Sequence, residues 1–355
     1  DGRRYVAGSG ALTSALCLEA LHRAQPEDSS GARPDGVASR IHRRVVGRVM
    51  ARLETMPAEI QQSAGLVRER VLADDPAAQI TLLPYLFRSA LGESGRDISD
   101  DRLVELGQLS FYGWVAYTIY DDFLDDEGDP RLLSCANVAM RELVLALTRE
   151  AGRTPGFGDL AWAVLDRQEA ANAWEVTHCR ARRQSDVLKM PAPDFGSLQV
   201  LAERSMGHAL GCLALTLELG YATDSPEAHA LERFFWHFLI ARQLGDDAHD
   251  WKDDLQKGQI NAVGALLLAG VGRRGGSVAG MYARLEREFR ERGTSRVHER
   301  IFAELAQARG ALTRATMIGR PEVLEAVLAP IEQATREADR QRQQMAEFLR
   351  TYRAE

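Results

Sequence analysis

Nine aspartates packed into two short runs set this 355-residue chain apart. The first run is Asp121-Asp122-Phe123-Leu124-Asp125-Asp126. The second, Asp246-Asp247-Ala248-His249-Asp250-Trp251-Lys252-Asp253-Asp254, begins 125 residues later. Carboxylates at this density repel one another and weaken a helix. A cation held between them removes the repulsion. An all-oxygen donor set suits hard divalent ions, and Mg²⁺ is the usual one when a phosphate-bearing substrate completes the coordination.

Spacing sharpens the expectation. A helix turns about 100° per residue, so positions i and i+4 nearly eclipse. Asp121 then stacks on Asp125, and Asp122 on Asp126, about 6 Å apart along the axis. Asp246, Asp250 and Asp254 share one drifting face, a spacing suited to three-point chelation of a single ion. Asp247 and Asp253 fall off that face, with Asp253 in solvent. His208, His237 and His249 each lack a second histidine at ligand spacing, so no zinc pair is expected. His249 lies beside the aspartates but points off their face.

Elements must bring the two runs together. The first follows the apolar stretch 109–120 and the second follows 231–244. Carboxylates at a helix C-terminus oppose the macrodipole, and here that happens twice. The pattern predicts two helices facing each other across an apolar cavity with an acidic rim. Trp114, Tyr117, Phe235 and Phe238 are the aromatic candidates for its walls. Helical three- and four-residue apolar spacing continues from Val37 onward, with no convincing strand. Breaks fall at Asp75-Pro76, 92–95, 128–130, 154–156, 191–193, Ser225-Pro226, 272–276 and 319–321. Ser99 and Asp194 are N-cap candidates. The predicted fold class is an all-α bundle of roughly ten to twelve helices.

Composition sets outer bounds. The chain is 45% hydrophobic and 27% charged with a net charge of −7, and its acid excess lies in the two runs. No persistently basic region argues for nucleic acid. No apolar run is long enough to span a membrane. Cys17, Cys135, Cys179 and Cys212 are scattered without a CxxC pair, as expected of buried thiols in a reducing cytoplasm. Residues 1–36 read as an apolar helix over 11–21 and a Pro-, Gly- and Ser-rich linker over 25–36. A chain opening at Asp1 rather than Met reads as a piece of a longer protein.

The first run resembles the DDxxD motif of class I terpenoid synthases and trans-isoprenyl diphosphate synthases. Asp246, Asp250 and Asp254 stand where the cyclase motif (N/D)DxxSxxxE has its three metal ligands, and Gly258 and Asn261 continue the match. Arg204-Ser205-Met206-Gly207 resembles the segment where cyclases place a diphosphate-sensing arginine, with Gly207 and Gly211 marking a helix break. The resemblance covers residues 37–355, read as one class I domain built as a helical bundle around a central apolar cavity. It implies three Mg²⁺ ions held by Asp121, Asp122, Asp125, Asp126, Asp246, Asp250 and Asp254. It also implies a prenyl diphosphate gripped by Arg204, Arg242 and Lys257 and ionised to an allylic cation inside the cavity.

Two reactions share that site. Chain elongators resemble this chain in Gln243-Leu244-Gly245-Asp246-Asp247-Ala248-His249-Asp250, their QxxDDxxD. They also carry GKxxRP upstream and two arginines after DDxxD. Here Leu83-Pro84-Tyr85-Leu86-Phe87-Arg88 is a poor substitute for the first, and Pro130-Arg131 places proline where an arginine is expected. A C15, C20 or pre-cyclised C20 substrate and a class I cyclase, a lyase, is the reading; chain elongation is the alternative. Head-to-head synthases share Asp250, Asp254 and Gly258 but match the first run less well. A non-catalytic acidic scaffold would not need intact ligands in both runs. Residues 1–5 with 11–21 resemble a helical repeat of class II cyclases, which implies an upstream class II domain as a partner. A homodimer is the other assembly the resemblance suggests.

Overall fold

The computed structural model describes residues 36–75, 78–125, 127–272 and 278–352. The helix and linker expected over 1–36 therefore lie outside the described residues up to residue 35, as does Asp126. The described chain is all helical: α1 Gly36–Leu53, α2 Ala58–Asp74, α3 Gln79–Leu91, α4 Asp100–Leu124, α5 Leu133–Arg153 and α6 Phe157–His178. Then come α7 Gln199–Glu203, α8 Leu210–Glu218, α9 Pro226–Lys257, α10 Ala262–Val271, α11 Val278–Glu288, α12 Thr294–Leu312 and α13 Pro321–Tyr352. Among the described residues the extended pairing is confined to one isolated antiparallel bridge, Arg180 with Gln259.

Local chemistry explains the ends of the two key helices. Ser99 caps α4 by accepting from the Arg102 amide at 3.2 Å. Ser225 does the same for α9, accepting from Ala228 at 3.2 Å, with Pro226 in the first helical position, where its missing N–H costs nothing. Gly258 stops α9 in the left-handed region at φ +96°. Asp194 does not cap a helix: it accepts from the Gly196 amide at 2.9 Å, closing a turn before α7 begins at Gln199.

The core forms where α9 packs on α12 and where α4 packs on α1 and α5. Phe234, Phe235 and Phe87 are fully enclosed, each stabilising the fold by about 1.5–3 kcal/mol through area removed from water. Phe235 meets Phe234 edge-on at 5.2 Å, and Phe238 stacks on Phe234 at 6.2 Å. A charge cluster centred on buried Arg102 ties three helices together. Arg102 on α4 pairs with Glu150 on α5 and with Glu218 on α8 at 2.8 Å. Cys135, Cys179 and Cys212 are buried free thiols, as expected; Cys17 lies outside the described residues. No helix among the described residues is long and apolar enough to cross a membrane.

Candidate active site

A cavity of about 1460 Å³ opens between α4, α6 and α9. Both aspartate runs line it. Asp121 and Asp122 occupy the last turn of α4, and Asp125 is its C-cap. Asp246, Asp250 and Asp254 sit in the final turns of α9, on the face that also carries Leu239, Arg242 and Gln243. The two predicted helices thus face each other as expected. Trp114 and Tyr117 lie in the wall below Asp121.

Phe235 and Phe238 do not line the cavity. The α9 lining begins at Leu239; Phe235, one turn earlier, is 0% exposed and belongs with Phe238 to the aromatic core described above. Helical spacing gives the face of a helix but not how deep the cavity reaches along it. Asp253 and His249 are exposed and stand at the rim.

Each described aspartate of the first run is met by an arginine. Arg204 donates to Asp121 Oδ1 at 3.1 Å and pairs with Glu175 of α6 through its other terminal nitrogen. Arg70 of α2 grips Asp122 with two parallel contacts, one at 2.9 Å. Arg180, just past α6, pairs with Asp125 and donates to the Leu124 carbonyl. The Nε atoms of Arg180 and Arg204 are buried and meet no acceptor in the protein. Lys257 reaches Glu127 across the rim at 2.6 Å. Arg242 lines the cavity within electrostatic reach of Asp246.

The helix break predicted near Gly207 is present. The chain leaves α7 at Arg204 and turns through a short 3-10 segment, Met206–Ala209, before α8. A Cβ at Gly207 would come within 2.9 Å of Gln168 Oε1, so a side chain here would push the Gln168 amide aside. Gly211 is not part of the break; it lets α8 close on Pro84 of α3. His208 lines the cavity, and burial, aided by the Arg242 charge, pushes its imidazole down to about 4. His237 belongs elsewhere, pairing with Glu304 at 2.6 Å.

The second run is held differently. Asp247, off the ligand face as expected, is buried and structural. It accepts from Gln243 and from the Ala262 amide, each at 2.8 Å, fixing the turn into α10. Asp254 accepts from Asn261 at 2.8 Å. The bridge between Arg180 and Gln259 is reinforced by Ala181 N–H to Gly258 O and Ile260 N–H to Cys179 O, both 2.8 Å. Backbone therefore links the end of α6, which holds Asp125 through Arg180, to the end of α9.

The carboxylates crowd one another. Burial, and then the charge of Asp121, pushes Asp125 up to about 6 against the pull of Arg180. Burial pushes Asp246 up to about 6. Burial, with the charges of Asp247, Asp250 and Asp125, pushes Asp254 up to about 7. Asp125 and Asp254 thus sense each other across the rim. Among the described residues, no three acidic side chains close around one point to hold an ion unaided. The expected three-point chelate on α9 is not preassembled, and one Asp254 oxygen accepts from Asn261. The donor set nevertheless fits hard divalent cations: it is all carboxylate and clustered, and Asp125, Asp246 and Asp254 are all pushed up by burial. Mg²⁺ typically binds through one or two carboxylates, with water and phosphate completing the shell.

Arg70, Arg180 and Glu175 were not expected at the site. Arg180 opens the basic run Arg180-Ala181-Arg182-Arg183 directly after a helix, a signal the sequence did carry. Arg70 and Glu175 look like ordinary charges on amphipathic helices.

Neither a protein-family model nor a curated protein matches the chain. Solved structures do. A polyprenyl synthase from Caulobacter crescentus, complexed with calcium and isoprenyl diphosphate, matches with a TM-score of 0.57 at 16% identity, over 84% of this chain and 95% of that one. A geranylgeranyl pyrophosphate synthetase from the archaeon Geoglobus acetivorans matches with a TM-score of 0.52 at 14% identity, over 84% and 99%. A candidate geranylgeranyl pyrophosphate synthase from Corynebacterium glutamicum gives 0.59 at 16%, over 87% and 99%. The chain has the all-helical fold of the isoprenyl diphosphate synthases.

Proposed function

We propose that this chain is a divalent-cation-dependent enzyme that ionises an allylic prenyl diphosphate at the rim and confines the resulting cation in the cavity below. One observation carries the reading: carboxylates from α4 and α9 face each other over a single deep cavity whose wall below them bears Trp114, Tyr117, Leu165 and Leu239. Asp121, Asp122, Asp125, Asp246, Asp250 and Asp254 would hold Mg²⁺, which would supply Lewis-acid neutralisation of the leaving diphosphate. Its likeness to a synthase complexed with calcium and isoprenyl diphosphate supports a divalent ion. Arg204, Arg180, Arg242 and Lys257 are the donors for the departing diphosphate. Trp114 and Tyr117 offer π faces to the cation, and the apolar wall keeps water from it.

The fate of the cation divides two readings. The solved neighbours are prenyl diphosphate synthases, which supports attack by the double bond of a second isoprenoid diphosphate, that is, chain elongation. Cyclisation followed by release of a terpene is the second reading, and a specific observation favours it. Residues 83–88, the poor substitute for the elongators' GKxxRP, present buried Leu83 and Phe87 and an Arg88 tied to Asp100, and Arg131 is exposed and tied to Asp129. The test is a panel of C15, C20 and copalyl-type diphosphates with Mg²⁺, with and without isopentenyl diphosphate. Longer diphosphates select elongation; hexane-extractable hydrocarbons or alcohols made without isopentenyl diphosphate select cyclisation. No diphosphate release from any of them sinks both.

A further inference from the structure

Below the rim the cavity contains a feature that metal and diphosphate binding do not use. Tyr117 Oη donates to Glu169 Oε1 at 2.8 Å, and both side chains line the cavity. Tyr117 stands one turn before Asp121 on α4, about 6 Å deeper along the axis. Glu169 precedes Glu175, the partner of Arg204, by six residues on α6, about 9 Å along that helix. The pair therefore sits inside the cavity, away from the leaving group. Burial, and then the Glu169 charge, holds the Tyr117 hydroxyl well above the usual phenol range, so Tyr117 stays a neutral donor. Glu169 is exposed and open to water.

A cation that has been attacked by an alkene, within one chain or between two, becomes a new cation that must lose a proton or be captured. We propose that Tyr117 and Glu169 are the proton exit of this enzyme. The C–H bond next to the cationic carbon breaks, and its electron pair forms the new C=C bond. The proton passes to the Tyr117 oxygen as the Tyr117 hydroxyl proton passes to the Glu169 carboxylate. The substrate loses its positive charge, Glu169 loses its negative charge and Tyr117 is unchanged. Glu169 then returns its proton to water. Tyr117 is the residue that touches the substrate. The inference rests on the prenyl diphosphate reading above and holds for either fate of the cation.

The test uses the full chain with Mg²⁺ and whichever diphosphate the wild type turns over, with isopentenyl diphosphate where required. Diphosphate release and extracted products are measured together for wild type, Glu169→Gln, Glu169→Asp and Tyr117→Phe. Per diphosphate released, Glu169→Gln and Tyr117→Phe should each yield at least tenfold less proton-loss alkene and correspondingly more water-captured alcohol. Glu169→Asp, which keeps the carboxylate, should move the ratio back toward wild type. An alkene-to-alcohol ratio unchanged in both Glu169→Gln and Tyr117→Phe overturns the proposal. So does slower release at an unchanged ratio, the signature of a merely structural pair. A wild type that releases no diphosphate overturns the functional reading itself, and this inference with it.

Discussion

Arg204 stands between two carboxylates, donating to Asp121 at 3.1 Å with one terminal nitrogen and pairing with Glu175 through the other. Glu175 is nearly enclosed, with a side chain 9% exposed, whereas Asp121 is 52% exposed. The inner partner anchors the guanidinium; the outer one is the partner an incoming diphosphate can replace. Arg204→Gln should therefore lower kcat/KM for diphosphate release about 10²- to 10³-fold, the usual cost of removing a positioned donor from a developing anion. Glu175→Gln should cost less, chiefly in KM, because the charge on Arg204 remains. Steady-state kinetics on both variants check this.

Arg180→Gln tests the link between the rims. Charge-assisted hydrogen bonds are worth about 1.5–3 kcal/mol, so a 10- to 100-fold loss of activity is expected. Asp125, already pushed up to about 6, would lose its compensating cation and rise further. Its ionised, metal-ready form would then be populated only at higher pH, and the acid limb of the rate profile should shift upward.

Removing divalent ions with a chelator should abolish diphosphate release, and added Mg²⁺ should restore it. Asp121→Asn and Asp250→Asn should each raise the Mg²⁺ concentration needed for half-maximal activity by tenfold or more. Titration of activity against Mg²⁺ is the measurement.

The buried pair Arg102–Glu150 governs acid stability. Burial would raise Glu150, but hydrogen bonds from Arg102 and Thr154 outweigh it and hold the folded carboxyl below its usual value. A depressed folded pKa means the stabilisation is fully present above the unfolded value and is lost as pH falls through the folded one. Glu150→Ala should cost about 1.5–3 kcal/mol at neutral pH, because Arg102 loses its buried partner and keeps the more exposed Glu218 and Glu105. It should also flatten the dependence of stability on acid. Urea unfolding between pH 3 and 7, roughly the carboxylate range, reads both effects.

Core and cavity aromatics should separate cleanly. Phe235→Ala should destabilise the fold by about 3–5 kcal/mol and leave the product pattern of the surviving enzyme intact. Trp114→Ala should unfold less readily than Phe235→Ala but change the ratio of products. Thermal melts and product chromatograms, run side by side, decide.

Both aspartate runs, their helices and the cavity between them were legible because each signal is local. Asp246, Asp250 and Asp254 announce a shared face through spacing alone. Trp114 and Phe235 show why that kind of reading stops short. Both sit on apolar helix faces leading toward carboxylates, yet one meets the cavity and the other the core, and only packing depth distinguishes them. The arginine partners were hidden for a related reason. Arg70 meets Asp122 through the docking of α2 on α4, which no pattern within either helix records. Asp194 misled because an aspartate that closes a turn and one that caps a helix look alike until the following amide is placed.

The backbone bonds joining Cys179 and Ala181 to Gly258 and Ile260 involve no side chain. The spacing of the α6 and α9 ends is thus insulated from substitutions in the cavity wall, and the Arg180 side chain carries it across to Asp125. Positions such as Trp114, Leu165 or Leu239 can be exchanged to reshape the space offered to a prenyl chain while the site of ionisation keeps its dimensions. A scaffold built this way can diversify its products one residue at a time without relearning how to break the first bond.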